Sequence, residues 1–333
     1  MPCFESKLIV KEVTVSVFDE IRSSCRYLAE RAEFVSIDQD FLAEYARQLP
    51  VEVALNPVME TENHFCGDVG QTLAYFITLD SINFGSGYFD SLRLDKGKTG
   101  YFTVASRLKA ESIRQGGFSA VWLRNVAVAE CGRIFEQNLA DPLVHELMRL
   151  FAEALNQLGR LLEAKYDGSF TAFIETASFS AARLVEQLLA MPFYCDIFEV
   201  AGRKISLLKR AQITASDLHI AFSGKGYGSF DDIAELTIFA DNLVPHVLLT
   251  DGLIKYRADL HEAISAGQTL VSGSRAEVEI RACTVHAVEL LRQVYADAGV
   301  RVNSQGLDYL LWNRGQERKY RQSPTHITRC VYY

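Results

Sequence analysis

The sequence predicts a mainly α-helical protein with minor β. Three observations carry that expectation. Apolar residues recur at helical spacing in several long segments, most clearly Leu143, Leu147, Leu150, Phe151, Leu155, Leu158 and Leu162. Strand-like stretches are few and short. No strand and helix alternate at βαβ spacing, and no GxGxxG follows a strand, which rejects a Rossmann arrangement.

Taken in order, the elements have identifiable starts and stops. Residues 37–49 read as a helix halted by Pro50. The clearest helix opens at Asp141-Pro142, where Asp supplies an N-cap and Pro suits the first turn. Residues 176–191 form a second amphipathic pattern that ends before Pro192. Residues 200–205 and 252–256 read as short ribbons. Residues 206–222 give a third helix. Residues 276–298 give a long fourth one, closed by Gly299 in the C′ position. Residues 303–319 give a fifth. Nothing in the chain reads as a repeat, a low-complexity stretch or a Pro/Ser-rich linker. The expectation is therefore one domain over residues 1–333, with residues 1–50 as a variable extension packed on it.

Composition narrows the function classes. The chain has 333 residues, 49% hydrophobic and 23% charged, which is ordinary for a globular protein and excludes a disordered or collagen-like chain. No apolar run reaches the ~18 residues of a membrane span. The opening segment carries Glu5, Lys7, Lys11 and Glu12 and no signal-peptide core, so the expected location is the cytoplasm. The net charge of −8 argues against intact tRNA or DNA as the partner, because a protein that grips a phosphate backbone presents a basic face. It leaves room for a single nucleotide. The seven cysteines are scattered singly, with no CxxC and no zinc-finger spacing, and suit reduced thiols. No metal site or cofactor is implied.

Familiar catalytic signatures, including the Walker A loop, HExxH and GxSxG, are absent. Chemistry must come from scattered carboxylates, aromatics and His. Asp241 lies between apolar Ile238-Phe239-Ala240 and Leu243-Val244. A carboxylate there needs a task or a partner. In extended backbone Phe239 shares its face, so ring and carboxylate can front one cavity; alternatively Asp241 caps the turn before Pro245. Asp308 with Trp312, and Tyr309 with Asn313, are i,i+4 pairs. They offer a polar, aromatic face for a planar ligand, or a helix-start carboxylate with aromatic packing. His64 is a ligand candidate or a satisfied histidine. Ser223 to Gly228 is Gly-rich and can approach a phosphate, or is simply a helix exit. Arg281 reads as an ion-pair partner of neighbouring acids.

Several blocks together resemble the queuosine salvage proteins. These are Leu79-Asp-Ser-Ile-Asn83-Phe84, Lys209-Arg-Ala-Gln-Ile213, Phe239-Ala-Asp241 followed by Pro245, Glu277-Val-Glu-Ile-Arg281, Asp308-Tyr309 with Leu311-Trp312, and Thr328-Arg-Cys-Val-Tyr-Tyr333. They run in order from about residue 60 onward. The resemblance implies a largely helical fold like that of DNA glycosylases. It implies cleavage of the N-glycosidic bond of queuosine 5′-phosphate, releasing the 7-deazaguanine base queuine, with no cofactor. By motif, Asp241 is the catalytic carboxylate, Phe239 a base contact, and Asp308 and Tyr309 the queuine-binding pair. His64 matches a family His near the ligand. Lys209 and Arg210 are the candidates for the 5′-phosphate. Where the family places a second acid, four residues after Tyr309, this chain has Asn313, which keeps an acceptor but loses a charge. Two alternatives stay open: hydrolysis of another modified nucleotide, and nucleotide binding without catalysis.

Overall fold

The structure is a computed structural model and describes residues 15–333. The charged opening segment and Cys3 lie outside those residues. In chain order the described elements are α1 (Val17–Ala29), β1 (Val35–Ile37), α2 (Leu42–Gln48), α3 (Val51–Ala54), α4 (Val69–Ser81), α5 (Gly100–Gln115), α6 (Ala120–Asn125), α7 (Val128–Ile134), α8 (Pro142–Tyr166), α9 (Phe170–Glu175) and α10 (Ala181–Leu188). There follow β2 (Ile197–Val200), β3 (Arg203–Ser206), α11 (Lys209–Ala221), α12 (Leu243–Thr250), β4 (Ile254–Tyr256), α13 (Ala258–Ser265), α14 (Arg275–Asp297) and α15 (Ser304–Gly315). The molecule is mainly helical, as expected. Its strands form two small antiparallel ribbons, β1 with β4 and β2 with β3. Val35 faces Tyr256 and Ile37 faces Ile254 in the first.

Two helices organise the packing. α14 runs through one half, with α1, α2, α12 and α15 against it. α8 organises the other, contacting α6, α7 and α9. α4 joins the halves by packing on α11, α5, α8 and α9. All ten residues from Thr72 to Ser81 are buried, the pattern of a helix surrounded on every side. Buried apolar side chains form one continuous cluster from Phe18 to Tyr320. Among the described residues no helix is long and apolar enough to cross a membrane.

The capping residues set most boundaries. Asp141 accepts from Leu143 N and Val144 N, with Pro142 opening α8. Ser274 and Asn303 cap α14 and α15 in the same way. Gly299 has φ +78°, the left-handed backbone expected after a helix end. Three expected elements differ. The pattern over 37–49 begins as strand, because Val35–Ile37 is claimed by β4, and its helix starts only at Leu42. The pattern over 176–191 is broken at Ser178 and Phe179, both with positive φ. There the Asp232 carboxylate accepts from Ser180 Oγ and Ala182 N and starts a new helix, α10. The 200–205 ribbon is the turn and second strand of a hairpin that folds at Ala201-Gly202.

α15 approaches α3 so closely that Gly306 has no room for a side chain. An added Cβ runs into the Ala54 carbonyl oxygen. Helix propensity alone favours Ala over Gly by up to ~1 kcal/mol. Gly306→Ala is nevertheless expected to lower Tm by roughly 3 °C or more, because overpacking against backbone outweighs propensity. Thermal denaturation checks this, and an unchanged or raised Tm shows that the contact relaxes.

Candidate functional site

A cavity of about 670 Å³ opens between the two halves. That volume suits a nucleotide-sized ligand. Its floor comes from α11, the 236–242 segment and α15. Its aromatic wall comes from the start of α5 and from α15. Its rim includes residues 58–60 and 316–325.

Asp241 resolves the two readings of its sequence context by satisfying both. Its Oδ1 accepts from Leu243 N at 2.7 Å and Val244 N at 3.1 Å, the first free amides of α12. Its Oδ2 accepts no hydrogen bond among the described residues, and the residue lines the cavity. One oxygen thus fixes the carboxylate plane, and the other is available. Phe239 fronts the same cavity, as two-residue alternation predicts. Its backbone N–H donates to Asp308 Oδ1 at 3.0 Å, tying the 236–242 segment to α15. Burial, then the nearby Asp241 carboxylate, push the Asp308 carboxyl well above the usual carboxylate range. Burial thus disfavours the charged form of Asp308, while the Phe239 amide and the nearby Lys209 favour it.

Tyr309 lines the cavity beside Trp312, whose indole meets Tyr101 and Phe102 edge-on, each at 5.7 Å between ring centres. Asn313 lies exposed at the margin, its Nδ2 donating to the Tyr309 carbonyl at 2.7 Å. His64 is in the wall with both ring nitrogens engaged. Nδ1 is 2.8 Å from the Glu60 carbonyl and Nε2 is 2.8 Å from Tyr101 Oη. Burial lowers its pKa, against the pull of Glu60. A neutral ring with Nδ1–H toward Glu60 fits this network, and His64 then fixes Tyr101 rather than offering a free nitrogen.

The two basic candidates separate. Lys209 lines the cavity at the first turn of α11. Burial draws its pKa down, and the Asp241 and Asp308 carboxylates push back. Arg210 does not reach the cavity. Its guanidinium donates to the carbonyls of Asp80, Ser81, Phe193 and Val331 and lies against the Phe84 and Tyr194 rings. The first two carbonyls end α4, so Arg210 serves as that helix's C-terminal cation. The loop from Ser223 to Gly228 is also outside the cavity. It folds back on α11, where the Gly228 carbonyl meets His219 Nδ1 at 2.9 Å.

Arg281 is fully buried and pairs with an acid far away in sequence. Its two Nη atoms meet Asp196 at 2.9 and 2.6 Å, and Glu277, one turn back, is at 3.4 Å. Its Nε donates to the Ala240 carbonyl at 2.9 Å, between Phe239 and Asp241. Glu279 turns elsewhere, to Arg275 and to the amides of Glu33 and Phe34.

Of the cavity residues that escape the sequence reading, Asp217 and Arg321 bear most on its charge. Asp217 faces the cavity from α11, two turns beyond Lys209 and in a row with Ile213 and Ile220. It makes no hydrogen bond among the described residues. Burial raises its pKa from 3.8 to about 7, with Lys209 opposing. A carboxylate inside that apolar stripe was the available signal. Arg321 stands at the rim, and no local pattern marks it.

Comparison with known proteins identifies the family. The family model described as queuosine salvage protein matches residues 63–333. The chain belongs to the queuosine salvage protein family. A relative from Sphaerobacter thermophilus is 33% identical over 320 residues, covering 94% of this chain and 97% of its own. One from Mus musculus is 31% identical over 337 residues and one from Bos taurus 32% over 341, each covering 94% of this chain and 98% of its own. All three carry the name queuosine 5′-phosphate N-glycosylase/hydrolase. In this member of the queuosine salvage family, six of the residues singled out by sequence line one cavity with Lys209: His64, Phe239, Asp241, Asp308, Tyr309 and Asn313.

The raised pKa of Asp217 has a consequence for stability. The unfolded carboxyl ionises near ~4 and the folded one near 7, so between those values the unfolded chain binds fewer protons. Folding stability from this group is complete below pH ~4 and is lost as pH rises toward 7. Asp217→Asn removes that loss. Its Tm relative to the parent is expected to rise by ~2 °C or more between pH 4 and pH 8. A Tm difference that stays flat across this range removes Asp217 from the titrating set.

Proposed function

We propose that this chain hydrolyses the N-glycosidic bond of queuosine 5′-phosphate, releasing queuine and ribose 5-phosphate. The observation that carries the reading is Asp241, with one oxygen held by α12 and the other available in a nucleotide-sized cavity. The names of the relatives supply the substrate.

Cleavage breaks the bond between C1′ and the base nitrogen, and the electron pair leaves with the base. Positive charge gathers on the ribose. A 7-deazaguanine has carbon at position 7, so the ring nitrogen that ordinary purines can protonate there is missing. More of the barrier must then be lowered at the sugar. The Asp241 Oδ2 stabilises the oxocarbenium-like centre and takes a proton from the attacking water, whose oxygen bonds to C1′. The departing base gains one proton at that nitrogen and Asp241 gives up to solvent the one it took from water, so the carboxylate is restored and the protons balance. Carboxylates divide comparable work on sugar glycosides. Phe239 stacks on the base, and Asp308 with Tyr309 takes its polar edge.

The size of the cavity and the net charge of −8 favour a free nucleotide over intact tRNA or DNA. The six free cysteines among the described residues suit a reducing compartment such as the cytoplasm. A second reading rests on Asn313. An amide at the cavity margin, in place of an acid, suits a deazapurine nucleotide with an uncharged substituent.

Incubation with queuosine 5′-phosphate, queuosine, 7-deazaguanosine monophosphate and guanosine monophosphate, followed by mass spectrometry of the released base, tests both readings. Queuine is expected from the first substrate and no guanine from the fourth; 7-deazaguanine from the third, without queuine from the first, favours the second reading. Folded protein that releases no queuine defeats the first reading. Asp241→Asn is expected to lower turnover at least ~100-fold while still binding substrate. It should also keep Tm within ~2 °C, since the amide oxygen can still cap α12. Turnover within a few-fold of the parent takes Asp241 out of the chemistry.

A further inference from the structure

Among the described residues two fixed cations line the cavity, Lys209 and Arg321. Their surroundings differ. Lys209 sits on the floor with Asp217, Asp241 and Asp308, and each of these carboxyls interacts with its charge. Even with Asp308 protonated, the floor has no surplus positive charge. A doubly charged phosphate placed there meets carboxylates as well as the one ammonium. The same floor is well suited to a developing positive charge on ribose.

Arg321 is committed to no acid. Its one hydrogen bond runs from Nη2 to Gln316 Oε1 at 2.7 Å, a neutral partner on the same rim. Of the cations near it in the chain, Arg314 Nε and Lys319 Nζ both bind Asp251, at 3.1 and 2.7 Å, and Arg318 does not line the cavity. The Arg321 amide donates to the Arg318 carbonyl at 3.2 Å, and the residue before it is anchored. Tyr320 Oη donates to Asp251 at 2.8 Å, and the Tyr320 carbonyl meets His246 Nε2 at 2.8 Å. Ser323 and Thr325 follow on the same cavity-lining segment. Asn242, the residue after Asp241, donates to Thr325 Oγ1 at 3.3 Å and stitches that segment to the catalytic one.

We propose that Arg321 is the residue that takes the 5′-phosphate, with the Ser323 and Thr325 hydroxyls beside it, and that Lys209 remains the counter-ion of the floor carboxylates. The proposal rests on the reading that the substrate is a nucleoside 5′-phosphate. The cavity is then electrically two-ended: an acidic floor for the sugar and a cationic rim for the phosphate. A guanidinium offers paired donors to phosphate oxygens, and an anchored backbone lowers the ordering cost of using them.

The test compares the parent, Arg321→Ala, Arg321→Lys and Lys209→Gln. One readout is the ratio of kcat/KM for queuosine 5′-phosphate to that for queuosine. The other is calorimetric affinity for ribose 5-phosphate. Arg321→Ala is expected to lower the ratio by about 10- to 100-fold, mainly through KM, and to weaken ribose 5-phosphate by a similar factor. Arg321→Lys should lose less of both. Lys209→Gln should lower kcat on the two nucleosides alike and leave the ratio near the parent value. An unchanged ratio in Arg321→Ala, or a ratio that collapses in Lys209→Gln instead, overturns the assignment. If the parent cleaves neither nucleoside, the hydrolase reading fails and the ribose 5-phosphate titration alone decides. Weakened binding in Arg321→Ala then upholds Arg321 as the phosphate residue. Equal binding, or none by the parent, overturns it.

Discussion

A guanidinium with no water to turn to sets the geometry of this molecule. Arg281 stands in the second turn of α14, fully buried, and apart from Glu277 one turn back the groups it meets come from other parts of the chain. Asp196 belongs to the approach to β2, Ala240 to the segment between Phe239 and Asp241, and Tyr333 lies with its ring 4.5 Å away. Burial works against its charge, yet Asp196 and Glu277 more than offset that and hold it protonated. Asp196 also accepts the Lys209 N–H at 3.2 Å, so the same ion pair fixes where α11 begins. A buried charge stripped of one partner typically costs ~3–5 kcal/mol. The positions of Ala240 and Lys209 are therefore enforced, and with them the orientation of Asp241 and the floor cation.

Around that clamp the molecule accepts local cost. Asp80 is fully buried beside Asp217. Burial and that neighbour raise its carboxyl well above the usual range, and its Oδ2 has no partner. Asp308 and Asp217 are raised as well. A chain selected for stability alone would neutralise such a set with apolar residues. In the proposed reaction Asp217 and Asp308 line the cavity in which cleavage gathers positive charge, and the apolar core on either side supplies the offsetting stability.

The parts legible in the sequence were those decided locally. Asp141-Pro142 and Gly299 mark helix ends through bonds to residues two or three positions away, and the structure has them in those roles. The pairing of Phe239 with Asp241 followed from the two-residue period of extended chain. What failed depended on distant partners. Val35 to Ile37 is strand because β4 pairs with it, and the 176–191 pattern breaks because Asp232 captures Ser180. Arg210 resembles a phosphate ligand until Asp80 and Val331 are brought to it from far along the chain. Arg321 is one of several basic residues in a row. Only the fold shows that Asp251 consumes Arg314 and Lys319 and leaves it free of acids.

The aromatic wall gives the molecule an optical signal of its own. Of the two tryptophans, Trp122 stacks on Phe118 at 5.1 Å in α6, away from the cavity, whereas Trp312 borders it. Tyr101 and Phe102 meet the edges of the Trp312 indole, so a planar guest alters the polarity around one fluorophore and leaves the other as an internal standard. Occupancy of the cavity is then readable as a change in emission from a single residue, with no label attached.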